Sequence, residues 1–175
     1  MRLPSIWRRT RERFRDLLNR DYASDEGRGT HPADGWQLTR SGSDRTRWRR
    51  DAEVLDCFQF GGGYVVTVGY SGIRNRWQTT PGYVPLGSAL AVANLYLDYR
   101  LSPQVDRSGR PFVGVAGGAP RQVFTADDAD EADVEYVYLD TVHTLEDFPD
   151  FLDVRSDVRR AYSRMTAPRP TSVGD

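Results

Sequence analysis

Two histidines, one cysteine and a crowd of carboxylates are the side chains of this 175-residue chain whose types suit catalysis or metal binding. Cys57 sits in the apolar run "VLDCFQF". A single thiol makes no internal disulfide and no Cys-based zinc cage, and in such a run it reads as a small buried hydrophobe. His31 falls in "THPAD", a stretch without large apolar residues, and His143 follows Asp140 by three positions. An aspartate can orient an imidazole, but no nucleophile is signalled beside this pair. Two isolated histidines do not make a zinc motif either.

Three glycine- or acid-rich stretches invite the same test. "GGGYVV" (61–66) lacks the Lys and Ser/Thr of a phosphate loop and runs into a strand rather than a helix. "GVAGGAP" (114–120) has the glycine content of a dinucleotide turn without the helix that should follow it. "DDADEADVE" (127–135) lacks the glycine and the position-twelve Glu of a calcium loop and reads as a solvated acidic segment. The sequence therefore assigns no catalytic residue, no cofactor and no metal ligand, and it leans toward a protein that is not an enzyme; the alternative of an enzyme of unrecognised type would need a pocket that gathers His143, Asp140 or Cys57.

Arginine is the chemistry that stands out. All 24 basic residues are Arg. Thirteen of them, with seven acids, lie in residues 1–50, a surplus of six positive charges; residues 51–175 carry a deficit of seven, which restores the total of −1. In "SIWRRTRERFRDLL" (5–18), five Arg fall between positions 8 and 15, threaded among Trp7, Phe14 and Leu17. "RSGSDRTRWRR" (40–50) supplies a second cluster, Arg45, Arg47, Arg49 and Arg50 around Trp48.

Residues 3–20 repeat apolar side chains at 3, 6, 7, 14, 17 and 18, close to the 3.6 period of a helix. At ~100° per residue they fill an arc of roughly 160°. Arg8, Arg11 and Arg15 border one edge of it, Arg9, Arg13 and Arg20 the other, and Glu12 and Asp16 sit amid the polar face. Arginines at the margins can snorkel beside buried apolar surface. The contact surface is therefore assigned to Trp7, Arg8, Arg11, Phe14, Arg15 and Leu18. It would meet its own domain, a sister copy, another protein or a membrane surface. Acids in the polar face weaken a phosphate-binding reading. Nucleic-acid binding would use this arm together with the patch Arg45, Arg47, Trp48, Arg49 and Arg50, which otherwise reads as a solvated edge hairpin.

The elements that would position these residues follow from period and punctuation. Residues 1–22 form the helical arm and 23–35, rich in Gly and polar residues, the linker. From Trp36 the apolar period becomes two, with turn clusters at "SGSD", "GGG" and "SG". This predicts an antiparallel meander of about five strands with one apolar face, on which Tyr64, Val66, Val68 and Tyr70 lie.

An apolar helix over about 86–101 should cover that face through a stripe of Leu86, Leu90, Ala93 and Leu97, widened by Ala89 and Tyr96. Short strands in 110–120 and 121–125 around a Gly-rich loop, a further strand at 134–142, a helix start at Thr144 leading into a short helix over 145–152 broken near Pro149, and a second helical segment over 154–165 make up a mixed acidic C-terminal section. The expected fold is α+β, with one domain over 36–165 and a disordered tail at 166–175. No apolar run reaches the ~18 residues of a membrane span, and arginines through residue 15 leave no room for a signal-peptide core. The expectation is a cytoplasmic protein, or one peripheral at a membrane.

Overall fold

The computed structural model describes residues 35–72, 76–78, 80, 83–122 and 134–168. The arm at 1–22 lies outside these residues. So do Trp7, Arg8, Arg11, Phe14, Arg15 and Leu18, His31, the acidic run at 127–133 and residues 169–175.

The fold is α+β, built on antiparallel sheets. In the first sheet, β1 (Gln37–Ser41), β2 (Arg45–Arg50), β3 (Glu53–Phe60) and β4 (Gly63–Tyr70) form a continuous meander, and the three-residue β5 (Arg76–Gln78) pairs with β4. Short turns set the register. Gly61 occupies the left-handed region at φ 63°, as the tight β3–β4 connection requires. Cross-strand rows then align Trp48, Leu55 and Val68, and beside them Thr46, Cys57 and Val66. These rows build the first face of the sheet.

Helix α1 (Leu86–Tyr99) packs on that face, against β3 and β4. It ends two residues earlier than its apolar pattern suggests. Arg100 turns left-handed at φ 56° and its N–H donates to the Tyr96 carbonyl at 2.8 Å, which stops the helix. The expected stripe on α1 is also too narrow. Ten of its fourteen residues are buried, including Ser88 and Asn94, because the helix is enclosed on several sides.

The enclosure comes from the C-terminal section. A second sheet centres on β7 (Pro111–Ala116), which pairs with β6 (Gln104–Val105), β8 (Ala119–Arg121) and β9 (Glu135–Tyr138). Val113 and Val115 of β7 join the same core as α1. The chain continues through 3-10 turns at Leu139–Thr141 and Leu145–Asp147. The second is entered by a capping box in which Thr144 and Asp147 bond each other's backbone N–H groups. Helix α2 (Ser156–Thr166) then adds Val158, Ala161 and Met165 to the core beside β1 and α1.

One expectation about the first sheet is overturned. It does not have one apolar and one solvated face: Arg45, Arg47, Val54, Asp56, Phe58, Val65 and Thr67 point away from α1, and all are buried. Nor is β2 an edge strand. It lies between β1 and β3.

Close approach rather than turn geometry explains Gly87. A Cβ there would lie 2.5 Å from the backbone carbonyl of His143, while the neighbouring Ser88 hydroxyl donates to the Val142 carbonyl at 2.7 Å. Gly87→Ala should therefore push α1 off the 142–143 segment. The expected loss is about 1–3 kcal/mol, the usual cost of overpacking, read as a lower urea midpoint. An unchanged midpoint would show that the helix can withdraw freely.

Candidate functional site

The arginines of β2 are the chemically dense part of the described chain. Strand alternation sends Arg45, Arg47 and Arg49 to one face of the sheet and Thr46, Trp48 and Arg50 to the other. On the first-named face Arg47 grips Asp56 of β3 with a bidentate pair, Nε to Oδ1 at 2.9 Å and Nη2 to Oδ2 at 3.0 Å. Arg45 brings Nε to 3.4 Å from the same carboxylate and lays its guanidinium 5.0 Å from the Phe58 ring centre. Asp56 is fully buried and both arginines nearly so.

The opposite face is equally committed. Fully buried Trp48 donates its indole N–H to Asp157 Oδ2 of α2 at 2.7 Å. Asp157 is held in turn by Arg155 at 3.1 Å, and Arg155 reaches Asp98 of α1 at 3.3 Å. This chain ties β2, α2 and α1 together. Arg50 stacks over Trp36, 4.6 Å from the ring centre, and pairs with Glu53 at 3.2 Å. Glu53 also accepts from the Tyr96 hydroxyl and pairs with Arg100. Arg49 is half-buried and donates to the Asp51 carbonyl at 2.8 Å.

The environment of Glu53 sets its charge. Burial alone would hold its proton on, but hydrogen bonds from Tyr96 and Arg100, with the charge of Arg100 and a bond from Arg50, outweigh burial and keep its pKa below the ordinary carboxylate value. The Tyr96 hydroxyl is pushed up by its burial and by the hydrogen bond to Glu53.

The five residues of the suggested nucleic-acid patch therefore do not form one surface. Arg45, Arg47 and Trp48 are inside the protein, on opposite sides of a sheet, and Arg49 and Arg50 diverge in the same way. Cys57 is buried as expected, and burial followed by the charge of Asp56 raises its thiol pKa strongly, so the reactive thiolate is disfavoured. His143 is exposed. Asp140 does not orient it but forms a bidentate pair with Arg110 at 2.8 and 3.0 Å, while the His143 backbone N–H donates to Asp147. Among the described residues, no group of three or more His, Cys, Asp or Glu is placed to hold a metal ion.

Sequence reasoning missed the acids that organise this region: Glu53, Asp56 and Asp157. A signal for Asp56 exists, because it interrupts an apolar strand that follows one with arginines at alternate positions. Its use needed the strand register.

No protein-family model, no curated protein and no solved structure matches the chain. Among the described residues, no helix is long and apolar enough to cross a membrane.

Two predictions follow from the buried charges. Arg47→Met should cost about 3–5 kcal/mol by leaving a buried carboxylate poorly compensated. Combined with Asp56→Leu, the loss should fall well short of the sum of the two single losses. Strict additivity in urea melts would show that the pair is not coupled. Glu53→Gln tests the depressed carboxyl. Its contribution is present above the unfolded pKa of ~4.3 and fades as pH falls through the lower folded value. The variant should therefore lower Tm more at pH 7 than at pH 2–3. An equal drop at both would remove the ion pairs as its cause.

Proposed function

We propose that this is a small intracellular, non-enzymatic protein that works by contact, and that residues 1–22 are its contact element, meeting another protein, a sister subunit or a membrane surface. The observation that carries the reading is the fate of the β2 cluster. Arg45, Arg47 and Trp48 are engaged in joining strands and helices. That leaves the other arginine-rich stretch, residues 3–20, to supply contact chemistry. Its sequence combines an apolar arc with guanidinium margins, a pattern suited to attachment at a protein or anionic lipid surface. The exposed His143 and the protonated thiol of Cys57 offer no matched acid, base or nucleophile to set against it. A buried free thiol also accords with a reducing cytoplasm.

Nucleic-acid binding through the arm and residues 45–50 is the weaker alternative, because three of its five hairpin side chains are buried. It would require affinity that falls steeply with salt.

Charge reversal at the margins tests the main reading. In the full chain, Arg8→Glu, Arg11→Glu and Arg15→Glu together should abolish self-association in sedimentation velocity or flotation with phosphatidylserine-containing vesicles. At ~1 kcal/mol per basic residue near an anionic surface, removing three positive charges predicts at least about a hundredfold loss of vesicle affinity. Tm should not move. A full chain that does neither, or a triple variant that associates as well as the parent, overturns the proposal.

A further inference from the structure

The face of the first sheet turned away from α1 carries a contradiction that points to its cover. Val54, Phe58 and Val65 are 6 %, 2 % and 1 % exposed, a degree of burial that a solvated sheet face would not give. Both helices and β7 join a continuous core that includes Trp48, Leu55, Cys57, Val66 and Val68 of the opposite face. Val54, Phe58 and Val65 do not belong to that core. Among the described residues, Tyr83 closes one end of this second face, stacking on Phe60 at 5.6 Å between ring centres. On this face the Arg45 guanidinium lies 5.0 Å from the Phe58 ring centre, while α1, α2 and β7 share their core with the opposite face.

The shape of the face suits a helix. Along β4 it presents Gly63, Val65, Thr67 and Gly69, all small, beside Val54, Asp56 and Phe58 of β3. Small side chains let a helix axis come close. At ~4.8 Å per strand, β1 to β4 give a floor on the order of 15–20 Å wide, and a 16-residue helix is ~24 Å long.

Three longer stretches lie outside the described residues: 1–34, 123–133 and 169–175. Residues 123–133 carry five acids and two large apolar side chains, and 169–175 carry one apolar side chain, Val173. Residues 3–18 hold Leu3, Ile6, Trp7, Phe14, Leu17 and Leu18 on one helical arc. They join β1 through residues 19–35, whose extended reach of ~55 Å exceeds the width of the sheet.

We propose that residues 3–18 of the same chain seat their apolar arc on this second face, over Val54, Phe58 and Val65. The inference rests on the reading of the arm as the contact element and deepens it. The apolar arc has an internal seat, the arginine margins stay at the rim, and a partner or membrane that takes the arc must displace it from the sheet.

Photo-crosslinking tests the seat. The full chain carrying p-benzoylphenylalanine in place of Phe14 should crosslink within one chain to the peptide spanning residues 53–70, with a yield independent of concentration. Crosslinks between chains would assign the seat to a second copy's arm; crosslinks elsewhere, or none, would remove it. Either result overturns the proposal.

Hydroxyl-radical footprinting supplies the second measurement. In the unaltered chain Trp7, Phe14 and Phe58 should all be protected, and Phe14→Asp should raise oxidation of Phe58 several-fold while Trp48 stays protected. If that variant unfolds, Trp48 oxidises as well, and the crosslink and the protection in the unaltered chain decide. Failure here is separable from failure of the contact function, which is read through Arg8, Arg11 and Arg15 by sedimentation and flotation.

Discussion

A helix with almost no polar side must be surrounded, and α1 imposes that constraint on the described fold. Leu90, Ala91, Val92, Ala93 and Leu95 are fully buried and point around the whole circumference of the helix. One sheet covers only one side of such a cylinder. The second sheet, the 142–143 segment and α2 close other sides, and the contacts show how tightly. Gly87 touches the His143 backbone, Ser88 bonds the Val142 carbonyl, and the Asn94 amide donates to the Asp153 carbonyl at 3.3 Å. These polar residues let the helix pass through an apolar interior and still anchor the segments around it.

Buried charge plays a second, more selective part. Burying an ion pair gives little net stability compared with a well-packed apolar pair, yet breaking one is expensive. The Arg47–Asp56 grip can form only when β2 and β3 are in their observed register, because a one-residue slip would send the two side chains to opposite faces. The Trp48–Asp157 bond likewise places α2 against β2, and Arg155 extends the link to α1. Arginine suits these positions. Its planar fork satisfies both oxygens of a carboxylate at once, and it does not lose its proton when buried.

Much of the fold was legible in the residues. Period-two runs broken by "SGSD" and "GGG" marked the meander, and Pro85 followed by an alanine- and leucine-rich run marked α1. The Gly-rich "GVAGGAP" proved to be the end of β7, a two-glycine turn and the start of β8, as its missing helix implied. The candidate patch at 45–50 was much less legible. Four arginines around a tryptophan look like a surface in one dimension. Whether a charged strand residue faces water or an acid depends on the strand beside it, and the acid that claims Arg47 comes from β3, nine positions on. The partner of Trp48 is more distant still, 109 positions away.

Taken by itself, the sequence marked the meander, α1 and α2 within the described residues, because backbone preference and apolar period act over a few neighbouring residues. It also determined that Cys57 sits in an apolar run and that positive charge gathers in the first fifty residues. The tertiary structure alone decided which arginines of β2 are buried, that both faces of the first sheet are covered, and that Asp56 and Asp157 are structural. Those outcomes depend on long-range pairing and on exclusion of water, and neither is a property of a short stretch of chain.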